Sequence, residues 1–316
     1  MTGPSDARRR ERAALMLVLV TALWGMSFTW TRSWQLAAAD GPVDELLSGL
    51  TLIAVRMPLA LLLLGLWQPR VVLRPTRAEH AGGAAIGAVF FAGFALQTWG
   101  LAYTTPALSA FFTSLCSAWV PLIALAAFRE RVAPLTLAGL AVGLVGCAVL
   151  VEGWNAGPGE LMTLAGSVLF AVELLILDRL GRRLEPSHLT AGFLGATGLL
   201  ALASAVIVAV RGPGLAAWGE WAGGMLARPD ILRSVACLVV LPTVLGFHWM
   251  NSYQPLVSAT RAGLIYLLEP VFSALFSVWW GYDPVSGPLL LGGGLILAGN
   301  LLVELPRLLT ARRAAG

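Results

Sequence analysis

Apolar stretches of membrane-crossing length recur from near the start of this chain to near its end, with only short breaks between them. They run about 13–34, 45–67, 80–101, 105–128 and 134–151, then 160–180, 188–210, 231–253, 257–280 and 285–305. A helix needs roughly 20 apolar residues to cross about 30 Å of hydrocarbon. The runs are too long for strands and lack the alternation of an outer-membrane barrel. Their breaks carry turn chemistry, as in Gly157-Pro158-Gly159 and Gly281-Tyr282-Asp283-Pro284. Only 12% of the 316 residues are charged, against about 25% in soluble domains, which leaves too little polar surface to cover a globule. Lipid as solvent removes that deficit. The expectation is an all-α membrane protein of ten transmembrane helices.

Arg8-Arg9-Arg10 ahead of the first run and Ala37-Ala38-Ala39 after it resemble the flanks of a signal peptide. The apolar run exceeds the usual 7–15 residues of such a segment and contains Trp24 and Trp30. It is read as a retained helix. All 21 basic residues are arginine, and their placement sets the orientation. With the N-terminus in the cytoplasm, Arg8, Arg9, Arg10, Arg12, Arg70, Arg74, Arg77, Arg129, Arg131, Arg179, Arg182, Arg183, Arg261, Arg307, Arg312 and Arg313 fall inside. Arg32, Arg211, Arg228 and Arg233 fall outside, and Arg56 lies within a helix. The topology expected is N-in, C-in. Trp34, Trp99, Trp154, Trp218, Trp221, Trp279 and Trp280 then lie near the outer interface and Trp67 near the inner one, with Trp24, Trp119 and Trp249 deeper.

The net charge of +4 does not indicate nucleic acid, because the arginines sit in short loops and not in a patch with aromatics. Cys116, Cys147 and Cys237 all lie in apolar stretches, with neither metal spacing nor a disulfide framework. No phosphate loop, zinc motif or nucleophile elbow occurs, so no cofactor and no metal are expected.

The halves of the chain resemble each other. At one offset Pro106, Ser109-Ala110, Leu115 and Pro121 meet Pro255, Ser258-Ala259, Leu264 and Pro270. At nearby offsets Glu130, Val132, Gly139 and Gly146 meet Asp283, Val285, Gly292 and Gly299, while Trp24-Gly25 meets Phe170-Ala171 and Ser27 meets Glu173. Each repeat holds five helices, an odd number, so the second copy is inserted upside down. Inverted repeats let one interface open to either side, a recurring transporter design. The organisation expected is a cytoplasmic tail over 1–12, a first five-helix repeat over 13–152, an inverted second repeat over 158–305 and a cytoplasmic tail over 306–316.

Across essentially its whole length the chain resembles the EamA-type branch of the drug/metabolite transporter superfamily. The segments that carry the resemblance are Trp24-Gly25, Ala54-Val55-Arg56, Arg129-Glu130-Arg131, Leu268-Glu269-Pro270 and Leu290 to Gly299. Asp283 is a departure, since the family usually shows Glu there. The resemblance implies ten helices, inverted halves around a central cavity, peripheral fifth and tenth helices, and transport of amino acids or other metabolites.

An ionisable group inside a span costs about 2.5–3.5 kcal/mol on insertion scales, so each needs a partner, water or a function. Arg56, Glu173 and Glu269 lie near mid-membrane, and His248 lies in the inner half of its segment. Arg56 is a fixed cation, suited to a substrate carboxylate or phosphate, or to a structural bond. Glu269 precedes Pro270 and shares a polar or small stripe with Ala262, Tyr266, Ser273 and Ser277. Ser109, Thr113 and Ser117 form the corresponding stripe in the first repeat. Either stripe is a cavity wall or a packing face. Glu269, with Glu173 second, is the candidate for proton coupling. His248 and Asn251 share a helical face. The cavity candidates are therefore Trp24, Ser27, Arg56, Ser109, Thr113, Ser117, Glu173, His248, Asn251, Tyr266, Glu269 and Ser273. Gly139, Gly143 and Gly146, with Gly292-Gly293-Gly294 and Gly299, give the fifth and tenth helices surfaces for close packing or for a homodimer.

The reading is a secondary transporter of amino acids or similar metabolites, its partners being substrate and membrane lipid, in a bacterial cytoplasmic membrane and directed to export. An intramembrane enzyme acting on lipid or peptide and a channel are the other classes. An enzyme needs a Ser–His pair or a metal-binding acid cluster that no motif nominates here.

Overall fold

The structure, a computed structural model, describes residues 4–128, 133–150, 156–181, 183–257, 262 and 265–315. No strand occurs among them. The helices are α1 (Pro4–Ala38), α2 (Glu45–Trp67), α3 (Pro69–Leu73), α4 (Arg77–Gly100), α5 (Pro106–Ser114), α6 (Cys116–Phe128) and α7 (Pro134–Leu150). The second half has α8 (Pro158–Gly181), α9 (Pro186–Arg211), α10 (Leu215–Ala227), α11 (Pro229–Leu238), α12 (Gly246–Tyr253), α13 (Glu269–Trp279) and α14 (Gly287–Ala315). Seven spans among the described residues are long and apolar enough to cross a membrane, and Pro134–Leu150 and Gly287–Val303 are shorter apolar helices. Both terminal tails continue the neighbouring helix instead of forming separate segments.

Proline and polar caps set several boundaries. Asp44 accepts from the Leu47 N–H at the start of α2, and Thr76 with Glu79 closes a capping box on α4. Three apolar runs are less regular than their sequence suggests. The fourth run is interrupted at Leu115, between α5 and α6. The eighth passes through a π-helical stretch, Val239–Leu245, that contains Pro242. In the ninth the chain makes a turn at Leu267-Leu268 and a new helix begins at Glu269-Pro270. Pro270 therefore sits in a first helical turn, where its missing N–H costs nothing, and does not kink a helix interior. Two short helices, α3 and α10, had no apolar run to announce them.

Contacts between the halves come in matched pairs. α1 packs on α13 and α5 with α6 packs on α8, each joining a first helix of one half to the fourth segment of the other. α4 packs on α8 as α11 and α12 pack on α1. α2 meets its counterpart α9, and α7 meets its counterpart α14 along most of their length. The α7–α14 contact is backbone on backbone. A methyl on Gly139 would come within 2.5 Å of the Gly299 carbonyl oxygen, and one on Gly146 within 2.7 Å of the Gly292 carbonyl oxygen. Gly139, Gly146, Gly292 and Gly299 thus face the partner helix within one chain, whereas nothing lies within 4 Å of a methyl on Gly294.

One end of the bundle is bound together by hydrogen bonds. Arg32 donates to the Leu101 and Ala102 carbonyls, both at 2.7 Å, and the Ser33 and Tyr282 hydroxyls meet at 2.8 Å. Asp283, 6% exposed, accepts from the Ala107 N–H at the start of α5 and from the Ser277 hydroxyl. Thr104 bonds Glu160. Trp34 is fully buried at this end and donates to Ser48, so it belongs to the core and not to an interfacial belt. Trp218 is likewise tied inward, to the Thr51 hydroxyl at 2.8 Å, whereas Trp279 is 75% exposed. Trp154, Ser258-Ala259 and the Arg129-Glu130-Arg131 segment lie outside the described residues.

Candidate functional site

Glu173 of α8 and Glu269 of α13 both lie within electrostatic reach of Cys116, the first residue of α6. The two carboxyls from the second half therefore converge on the interrupted fourth run of the first. Neither makes a hydrogen bond or ion pair among the described residues. Glu269 stands in the first turn of α13, where the helix end favours negative charge. Tyr266 is also within electrostatic reach of Glu269, and its ring lies 5.6 Å from that of Trp24.

Gly25 explains how α1 reaches this point. A methyl there would come within 2.8 Å of Phe272 Cβ and the Ser273 N, and within 2.9 Å of the Glu269 carbonyl oxygen. The missing side chain lets α1 lie directly on the first turn of α13. Trp24 beside it donates from Nε1 to the Pro242 carbonyl at 3.0 Å, and Ser27 donates to the Trp24 carbonyl at 2.7 Å.

Arg56 occupies a separate place. Only 6% exposed, it donates from Nε to Thr243 Oγ1 at 2.8 Å and lies 5.3 Å from the centre of the Phe94 ring. A cavity of about 290 Å³ opens near it, with Gln68, Thr190, Thr243, Phe247, His248 and Asn251 among its walls. Gln68 and His248 Nδ1 meet at 2.8 Å, and Asn251 donates to Thr190 at 3.3 Å. This cavity lies toward the ends carrying Gln68 and Ser187, opposite the end sealed by Arg32, Tyr282 and Asp283.

The remaining candidates sit in seams between helices. Ser273 is fully buried and donates to the Pro106 carbonyl at 3.0 Å, and Ser109 is fully buried against Thr163 at 3.3 Å. Thr113 accepts from Gln97 at 2.7 Å, and Ser117 donates to Asn300 at 3.0 Å. The stripe containing Ser273 is therefore a packing face beyond its first turn, and Ser109 is a packing residue too.

A model of the EamA-like transporter family matches residues 11–152 and again 157–305, almost the whole chain in two copies. The chain belongs to the EamA-like transporter family. An uncharacterized transporter of Archaeoglobus fulgidus is 24% identical over 325 residues, covering 96% of this chain and 89% of that protein. A solved crystal structure superposes with a TM-score of 0.60 at 24% identity, over 93% of this chain and 96% of the other, and so shares the fold. This EamA-like protein is a multi-pass membrane transporter, and the two matched copies are the repeats that the sequence offsets indicated.

Within this EamA-like fold the cavity-lining residues that sequence reasoning passed over include Gln68, Thr190 and Thr243. Threonine and glutamine at span ends are common and cost little, so composition does not flag them. Pro242 was the available signal, since a proline inside an apolar run removes a backbone N–H and disturbs the helix around it.

Proposed function

We propose that this EamA-like protein is a ten-span secondary transporter, N-in and C-in, that exports amino acids or similar small metabolites across a bacterial cytoplasmic membrane by alternating access. The observation that carries the reading is the pair of carboxyls, Glu173 and Glu269, that both lie within electrostatic reach of Cys116 and have no partner among the described residues. A charge at that depth is costly unless water, a substrate or a proton visits it. One-sided access supports the same reading: a cavity at the arginine-rich end faces a hydrogen-bonded seal at the other.

Glu269 is the coupling residue in this reading and Glu173 the second. A carboxyl closed away from water holds a proton, and one opened to water releases it. Exposure to alternate sides then exchanges protons for substrate. The test is pH-driven flux in proteoliposomes carrying Glu269→Gln, a near-isosteric side chain that cannot ionise. Gradient-driven accumulation should fall to background while substrate exchange persists. Unchanged accumulation would remove Glu269 from coupling and leave Glu173 to be tested in the same way.

A further inference from the structure

Arg56 has more donors than the protein uses. A guanidinium offers five N–H groups in a planar fork and stays charged. Here Nε is taken by Thr243, the Phe94 ring lies beside the charge, and no other partner occurs among the described residues. The terminal nitrogens are also not sealed: the only side-chain polar atoms among the described residues that are buried without a partner are the Thr29 and Thr98 hydroxyls. A residue only 6% exposed therefore keeps a charged fork whose terminal nitrogens have no partner among the described residues, one hydrogen bond away from a cavity wall that includes Thr243. Leaving a buried charge without its partner is strongly destabilising. An acidic partner within the chain would have answered that cost, yet Glu173 and Glu269 gather elsewhere, around Cys116.

The aim of the fork is fixed from a second segment. Thr243 sits on the π-helical stretch, and its hydroxyl donates to the Leu238 carbonyl at 2.8 Å while accepting from Arg56 Nε. Both roles of that hydroxyl are used, so it can hold the guanidinium in one orientation. Pro242 has no N–H to give the Leu238 carbonyl, which accepts the Thr243 hydroxyl instead, and the Pro242 carbonyl accepts from Trp24. Thr243 in addition forms part of the cavity wall shared with His248 and Asn251.

We propose that Arg56, oriented by Thr243 from the π-helical stretch, is the receptor for a carboxylate on the transported solute. The proposal rests on the transporter reading and adds the chemical class of the substrate's recognised group. Carboxylate geometry matches a guanidinium edge bidentately, so a lysine at the same depth supplies charge without the fork. Thr243 is a positioning residue in this scheme, since it acts through Arg56.

The experiment uses the purified full-length protein with the twenty amino acids, each paired with its own carboxamide, in a thermal-shift series and then in liposome counterflow. The acids that stabilise the wild type should lose their effect as carboxamides. Thr243→Val, which keeps shape but removes the acceptor, should raise the apparent Kd about tenfold for the acids and leave the carboxamides unchanged. Thr243→Ser should restore wild-type affinity, a rescue that a purely structural role for the hydroxyl in helix packing would not confine to the acids. Arg56→Lys should weaken the acids at least as much as Thr243→Val. Carboxamides that bind and move as well as the acids would overturn the receptor while leaving the transporter reading intact. If neither acids nor carboxamides bind or move, the receptor and the amino-acid substrate of the proposed function both fall, while the family membership stands. Full affinity for acids in Thr243→Val, with loss in Arg56→Lys, would retain the receptor and remove Thr243 from it.

Discussion

Asp283 holds two hydrogen-bond donors from two different segments, the Ala107 N–H and the Ser277 hydroxyl. It thereby places an anion at the N-terminus of α5, where orphan N–H groups and the helix dipole favour one. Asp283→Asn keeps the shape and weakens the cap by about 1 kcal/mol. Hydrogen exchange of the amides at the start of α5 should then speed up about fivefold, with α9 amides unchanged. Equal exchange in both proteins would show that other contacts hold this end closed. At this scale charge was the most legible signal. Arg56, Glu173 and Glu269 stand out in sequence because burying an ion is expensive. Ser109 and Ser273 were misplaced for a related reason: a small polar side chain suits a helix seam and a cavity wall equally well. Thr243 was invisible because its partner is distant in the chain and an isolated threonine is unremarkable in an apolar run.

Apart from α3 and α10, the described helices follow the apolar runs, seven of them in spans long enough to cross a membrane, but several are less regular than the runs suggest. Apolar length announces a span, but the turn before Glu269, the interruption at Leu115 and the π-helical stretch depend on which carbonyls find partners across the bundle. Those partners come from other segments, so hydropathy does not reveal them. α10 was missed because its 13 residues are short and its Trp218 and Trp221 read as interfacial anchors instead of side chains reaching α2 and α1. The glycine signal was read correctly as close packing. A side chain at Gly146 would meet Ile296 and the Gly292 carbonyl at 2.7–2.8 Å, and both of these belong to a packed helix. Gly146→Leu should therefore cost more than the 1–3 kcal/mol typical of modest overpacking, seen as a lowered Tm in detergent. Gly294→Ala is the control: nothing lies within 4 Å of its added methyl, and the gain in helix propensity is about 0.5–1 kcal/mol. A large loss of Tm in Gly294→Ala would place an unrecognised surface against that glycine.

Taken as one molecule, the chain owes its legibility to duplication. Paired prolines and glycines indicated two copies, and the matched contacts of α1 with α13 and of α5 and α6 with α8 repeat one arrangement twice. The inverted orientation proposed for the two copies predicts where tags will report. Accessibility labels at the N-terminus, the Arg70–Arg77 loop and the C-terminus should read cytoplasmic, while labels at Gly157 and Gly212 should read external. Gly157 reporting the same side as the C-terminus would refute five spans per repeat. Sequence could not say which end is closed, because that rests on bonds such as Arg32 to Leu101 between residues distant in the chain.

The glycine contact between α7 and α14 has a mechanical consequence. Each half contributes one of these helices, and at Gly139, Gly146, Gly292 and Gly299 they touch backbone to backbone. The halves can rotate about such a line but cannot separate along it, much as the boards of a book turn on its spine. Displacement then grows with distance from the spine. The carboxyls and Arg56 would swing through larger arcs than any residue of α7, and stiffening the spine would slow turnover without touching a single ligand-binding group.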